Sequence, residues 1–301
     1  MTKRLASHAG SWYSDSKSRL NKELEQYLNN VPTTTEKGVG YPIDQVRAII
    51  APHAGYTYSG PTAAYAYKCI DVGTIRRVFL LGPSHHVYLD GCALSKCDSY
   101  ETPLGNLELD KQVISDLYDT GQFSWMSTEV DEEEHSIEMH LPYTYKIFEE
   151  KTQDIKIVPI LVGSIGLVKE KMYGQVISKY LEDPSNLFII SSDFCHWGRR
   201  FNYNYDMGKE IPIHEAIRKL DDEGMKAIES MNVNDFSDYL IRTRNTICGR
   251  HPIAVLMAGL EHLKEYDKKI EFIKYDQSNR CYTIKDSSVS YASGFVTIMK
   301  K

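Results

Sequence analysis

Three short apolar runs, residues 46–51, 77–81 and 187–191, each lead directly into a histidine-bearing turn. They are too short for ordinary helices, and residues 155–162 form a further run of the same kind. A near-continuous apolar strand belongs in a sheet covered on both faces, which is what an α/β architecture supplies. Ligands of an open α/β sheet gather outside the carboxyl ends of its strands. The turns after the three runs carry Pro52-His53-Ala54-Gly55, Pro83-Ser84-His85-His86 and Ser192-Asp193-Phe194-Cys195-His196. Two more segments, from Glu134-His135 to Met139-His140 and Cys248-Gly249-Arg250-His251, complete a set of five. Such residues, remote in sequence, can meet in one cleft as a metal site or an acid/base site.

Helical patterns fall between the strands. Leu20, Leu24, Tyr27 and Leu28 keep helical spacing, so about 16–29 reads as an amphipathic helix, followed by a Pro- and Gly-containing loop at 31–42. Further helices are expected at 61–69, 110–120 with Gly121 as a stop, 135–149, 168–181, 209–230 and 251–264. Strands near 270–275 and 288–299 close the chain. The alternation argues for a central sheet with helices on both faces, and no linker divides the 301 residues into more than one domain.

The formal net charge of −6 speaks against a nucleic-acid protein, which usually presents a basic face. No apolar run approaches the ~18 residues of a membrane span, and the first twenty residues hold no apolar signal core. Six cysteines, with no Cys-x-x-Cys pair, fit free thiols in a reducing cytoplasm. The acidic block 131–134 reads as a helix start or a solvated stretch.

Each candidate has an ordinary reading beside the chemical one. His53, between Pro52 and Gly55, is either a ligand or a turn histidine bonded to backbone. His85 and His86 point in different directions, so at most one reaches a given metal. His135 and His140 are rotated by ~140° on a helix, and Glu138 is misplaced for a zincin pattern. They read as polar packing or pocket wall. Asp193 and His196 suit an acid/base or orienting pair, whereas Cys195 and His196, being adjacent, diverge and do not suit a nucleophilic dyad. Cys248 opens a helix, where positive partial charge favours thiolate; otherwise it is a small buried residue. Arg250, with Arg199 and Arg200, offers a local anion site or ordinary surface ion pairs. The stretch His8-Ala9-Gly10-Ser11-Trp12-Tyr13 echoes the His53 turn but is too short to count as a repeat.

Taken together these segments resemble the Memo family of mediators of cell motility. The likeness runs through residues 8–13, 48–58, 81–87, 131–143, 183–198, 245–252 and 286–292, and so covers essentially the whole chain. The resemblance implies a fold like the catalytic subunit of class III extradiol dioxygenases: one α/β domain with a mixed, mostly parallel sheet flanked by helices on both faces. It implies metal ligands at His53, His85 and Cys248, with Asp193 and His196 beside them as acid/base or supporting groups. A cysteine where a dioxygenase keeps a carboxylate shifts preference toward copper or another soft metal. Copper or iron binding, a role in motility signalling and in redox or metal balance, and a cytoplasmic or also nuclear location are the expectations. The implied partners are phosphotyrosine peptides of receptor tyrosine kinases or cytoskeletal signalling proteins. The alternatives are a metal-dependent oxidoreductase acting on a small molecule and a phosphopeptide-binding module without catalysis.

Overall fold

The apolar runs become strands buried along almost their whole length, as residues covered on both faces must be. The structure, a computed structural model, describes residues 2–204 and 211–301. The first half holds β1 (Lys3–Arg4), α1 (Lys17–Asn30), β2 (Val46–Ala51), α2 (Tyr56–Lys68), β3 (Arg77–Pro83), β4 (Cys92–Leu94), β5 (Ser99–Glu101) and β6 (Asn106–Leu109). It continues through α3 (Lys111–Tyr118), β7 (Phe123–Trp125) and three short helices, α4 (Thr128–Glu133), α5 (His135–Glu138) and α6 (Leu141–Ile147). The second half holds β8 (Lys156–Val162), α7 (Leu167–Glu182), β9 (Asn186–Ser191), β10 (His196–Trp197), α8 (Ile213–Glu229), α9 (Val233–Thr243) and α10 (Arg250–His262). Two long strands, β11 (Tyr266–Gln277) and β12 (Ser288–Lys300), end the chain.

These elements form one α/β domain around a mixed sheet. Its main path runs β1-β5-β6-β8-β3-β9-β2-β12-β10, with β8, β3, β9 and β2 mutually parallel and β12 antiparallel to β2. Register sets the site. Ala51 pairs with Ser191, and Leu81 with Ile190, so β2, β9 and β3 end side by side. His53, His85 and Asp193 each lie two residues beyond the last residue of their strand. Helices flank the sheet; α7 and α10 approach so closely that a Cβ on Gly174 would lie 2.5 Å from that of Ala258.

The structure departs from expectation at four places. The helix expected from 61 begins at Tyr56, with Pro61 inside it. Pro61 removes one helical donor, but Pro61 and Thr57 both face solvent, where water can satisfy the freed Thr57 carbonyl. The single helix expected over 135–149 is broken into α5 and α6, because Pro142 in the first turn starts a new helix with His140 as its N-cap. The helix α9 was not foreseen, although Val233, Phe236 and Tyr239 keep a buried helical spacing. The helix expected from 209 begins, within the described residues, at Ile213; residues 209–210 lie outside them. No helix among the described residues is long and apolar enough to cross a membrane.

Candidate metal centre

The turn after β2 is held to the turn after β9 through one carboxylate. The N–H groups of His53 and Ala54 donate to Asp193 Oδ1 at 2.8 and 3.3 Å. Burial pushes the Asp193 carboxyl up to about 7 despite these bonds, so it exchanges its proton near neutral pH. Gly249, at the start of α10, packs against β9: any side chain there would put its Cβ 2.3 Å from the Ser191 carbonyl oxygen. That close approach seats Cys248, whose Sγ lies 3.2 Å from His53 Nε2 and accepts the Asp193 N–H at 3.2 Å.

The hydrogen bonds behind the histidines select their tautomers. Ser191 Oγ donates to the Ser136 carbonyl at 2.7 Å, so it can only accept from His53 Nδ1, 2.5 Å away. His85 Nδ1 donates to Glu134 Oε1 at 2.8 Å, and the His85 backbone N–H donates to Glu134 Oε2 at 2.6 Å. His196 Nδ1 faces only carbonyls, Phe194 O at 2.9 Å and Thr246 O at 3.2 Å. In each ring Nδ1 is therefore the tethered donor, and Nε2 is the nitrogen left for the pocket. A histidine whose second nitrogen is tied to a carboxylate, a carbonyl or a hydroxyl is oriented as a metal-binding imidazole is.

Charge follows from the same contacts. Burial, and then the nearby His85, hold the His53 imidazolium well below the usual range, so His53 is neutral. His85 is the exposed residue of the pocket; desolvation by its neighbours still opposes its charge, but hydrogen bonds to Cys248 and Glu134 outweigh it and raise that imidazolium to about 10. Glu134 is the durable anion of the two partners: its bonds to His85 hold it near 2 against its burial, whereas burial raises the Cys248 thiol. A metal cation entering here would displace the His85 proton and be balanced by Glu134 from behind.

His135 was expected to be wall or packing, and the structure brings it closer than that. Donor atoms of His53, His85 and His135 all lie within 4.8 Å of one another, the one such group among the described residues. The His135 ring stacks on that of His85, centroids 4.4 Å apart and 17° off parallel, and meets Trp12 at 4.3 Å, tilted by 30°. Nearly parallel rings set their in-plane lone pairs side by side rather than converging. His135 Nδ1 is 3.7 Å from Glu134 Oε1, too far to fix its tautomer. His140 lies apart, buried with its Nδ1 against Tyr67 Oη at 2.7 Å. His86 stays exposed, its ring 5.9 Å from that of His135.

Sequence reasoning did not single out Glu134, Ser191 or Trp12. In sequence Glu134 looks, with its acidic neighbours, like a helix start or a solvated stretch. It does cap α5, but it is 3% exposed and tethers His85. Asp131, also 3% exposed, is not solvated at all: it accepts from Arg4, Ser95 and Tyr100. A polar residue ending an apolar strand was the only signal for Ser191. The three arginines part company. Arg250 lines a cleft with Glu170, Phe236 and Ile241, Arg199 is exposed, and Arg200 packs over the Phe201 ring, which meets the His196 ring edge-on at 5.2 Å.

The fold and pocket define a single-domain α/β protein with imidazole, thiol and carboxyl groups converging at the carboxyl ends of a parallel sheet core. Residues 4–295 match the family model described as Memo-like protein. Protein MEMO1 of Mus musculus is 50% identical over 297 residues, covering 98% of this chain and 97% of that protein. Protein MEMO1 of Danio rerio is 51% identical over 300 residues, covering 99% and 98%. Protein memo-1 homolog of Caenorhabditis elegans is 46% identical, covering 98% of this chain and 83% of that one. A crystal structure of an uncharacterized Escherichia coli K12 protein shares the fold at a TM-score of 0.51 and 10% identity, over 81% of this chain and 99% of that one. The chain belongs to the Memo-like family.

Proposed function

We propose that the protein binds a copper or iron ion through His53, His85 and Cys248 and uses it in redox or metal balance coupled to motility signalling in the cytoplasm. The observation that carries this reading is the thiol set against a tautomer-fixed imidazole, His53 Nε2 and Cys248 Sγ being 3.2 Å apart, with the His85 ring 5.2 Å from that of His53. Metal–nitrogen and metal–sulfur bonds of ~2.0 and ~2.3 Å leave their donors roughly 3.5 Å apart, close to the separation of His53 Nε2 and Cys248 Sγ. The thiol favours copper over the harder metals that a carboxylate would select. When bound, such an ion supplies one-electron chemistry; the chain's own part is to orient the donors and to offer Asp193 and His196 as proton acceptors. The enzyme reading, a dioxygenase-like oxidoreductase on a small molecule, uses the same residues.

Redox turnover tests this reading. Copper-loaded protein is expected to consume oxygen with ascorbate at a rate different from free copper. His196→Ala is expected to keep the metal and change that rate by ~10²–10⁴-fold, the usual worth of proton transfer. If wild type, Cys248→Ser and His196→Ala all behave like free copper, the redox role fails. The second reading, capture of a phosphotyrosine peptide from a receptor or cytoskeletal partner, is favoured by the Arg200 guanidinium beside Phe201 and His196. A phosphopeptide titration that loses affinity in Arg200→Ala supports it.

Two neighbouring histidines provide a control. His140→Ala is expected to leave metal affinity unchanged, because His140 faces Tyr67. His135→Ala is expected to cost less than about tenfold, 1.4 kcal/mol, because its ring lies nearly parallel to that of His85. A larger loss by titration makes His135 a ligand and the donor set nitrogen-rich.

A further inference from the structure

Behind the pocket lies a carboxylate that the proposed chemistry does not use. Asp221, on α8, is fully buried. Its Oδ1 accepts the Cys195 N–H at 3.2 Å and the Asn245 side-chain N–H at 3.0 Å. Its Oδ2 accepts from Tyr275 Oη at 2.8 Å. No lysine, arginine or histidine pairs with it among the described residues. A buried carboxylate held only by neutral donors is costly, and a chain that keeps one has bound it to a specific arrangement.

The two residues that Oδ1 grips are informative. Cys195 lies between Asp193 and His196, on the turn after β9. Asn245 lies on the turn that carries Cys248 into α10 and is followed by Thr246. Thr246 in turn holds His196, accepting its backbone N–H at Oγ1 at 2.7 Å and its Nδ1 at the carbonyl at 3.2 Å. The two turns also bond to each other directly, through His196 to Thr246 and Asp193 to Cys248, and the one Asp221 oxygen adds a shared tether from α8 to both.

We propose that Asp221 is a positioning residue: by tying these two turns together it fixes Cys248 against His53 and Asp193. This rests on the site assignment above, but it concerns the placement of Cys248 and can be read without metal. Cys248 is partly exposed, while the other five cysteines are buried, so its alkylation reports that placement directly.

The test compares full-length wild type with Asp221→Asn, Asp221→Leu and Tyr275→Phe. The asparagine keeps an Oδ1 that can accept from both turns; the leucine cannot. Tyr275→Phe removes a donor to Asp221 without touching either turn. Metal-free protein is treated with iodoacetamide, and modification at Cys248 is followed by mass spectrometry. Asp221→Leu is expected to react about fivefold faster as Cys248 loses its packing, while Asp221→Asn and Tyr275→Phe react as wild type. In a parallel cobalt(II) titration, Asp221→Leu is expected to lose about tenfold in affinity and much of the sulfur-to-cobalt absorption, with asparagine restoring both. Equal Cys248 reactivity in Asp221→Leu and wild type overturns the proposal. So does an equal acceleration in Tyr275→Phe, which would reduce Asp221 to a general stabiliser. A wild type that shows no sulfur-to-cobalt band refutes the metal assignment instead, and the alkylation rates still decide the role of Asp221.

Discussion

Arg4→Met is expected to cost the fold about 3–5 kcal/mol, the loss typical of breaking a buried ion pair by removing one partner. Arg4 is fully buried near the N-terminus. Its guanidinium donates to Asp131 Oδ1 at 3.1 Å, to Glu138 Oε2 at 2.7 Å, and to the carbonyls of Leu5, Asp131 and Glu134. Burial opposes its charge, but Glu138 and Asp131 outweigh that and raise the group above its usual range. Methionine matches much of the volume and leaves two buried carboxylates without their cation. Denaturant unfolding measures the loss. Adding Glu138→Gln and Asp131→Asn to Arg4→Met is expected to recover part of it, since the penalty lies in the orphaned charges. A loss below about 1 kcal/mol, the size of a surface pair, would mean that the cluster does not anchor the N-terminal segment.

That anchor also reaches the pocket. Glu138 accepts from Arg4, from the His8 backbone N–H at 2.9 Å and from Tyr13 Oη at 2.7 Å, and it contacts His8 Nδ1 at 2.8 Å. It thereby fixes the segment that lays Trp12 on His135. The two stretches that echo one another in sequence also touch: the Tyr56 N–H donates to the Trp12 carbonyl at 3.0 Å.

The second large effect concerns metal. His53→Ala, His85→Ala and Cys248→Ser are each expected to lower metal affinity by about 100-fold or more, beyond the 10–100-fold that supporting residues alone carry. The fold is expected to survive, because all three side chains stand on turns past strand or helix ends and, although His53 is buried, none belongs to the apolar core. Elemental analysis alongside a melting curve measures both. Stoichiometric metal retained in any two of the three variants would contradict the assignment.

The strand framework was legible because burial on both faces writes itself as unbroken apolar runs, as in β2 and β9. The histidine turns were legible because each follows such a run. What was hidden depends on contacts between distant residues. Arg4 and Asp131 are 127 residues apart, and nothing local marks either as half of a buried pair. Glu134 looked like one acid among four, and only the fold brings it to His85 from 49 residues away. The misreading around His135 was a local one. One helix over 135–149 sets His135 and His140 about 140° apart, but Pro142 divides that stretch into two short helices to which this rotation does not apply.

The central claim is that one thiolate and two imidazoles converge on a single ion. X-ray absorption at the copper edge of loaded protein tests it most directly. The structure leads us to expect one sulfur scatterer near 2.3 Å and nitrogen scatterers near 2.0 Å, bond lengths of the order known for such donors. Cys248→Ser should lose the sulfur, and His140→Ala should leave the spectrum as it was. A wild-type spectrum without sulfur, or one that keeps its sulfur in Cys248→Ser, would contradict the account.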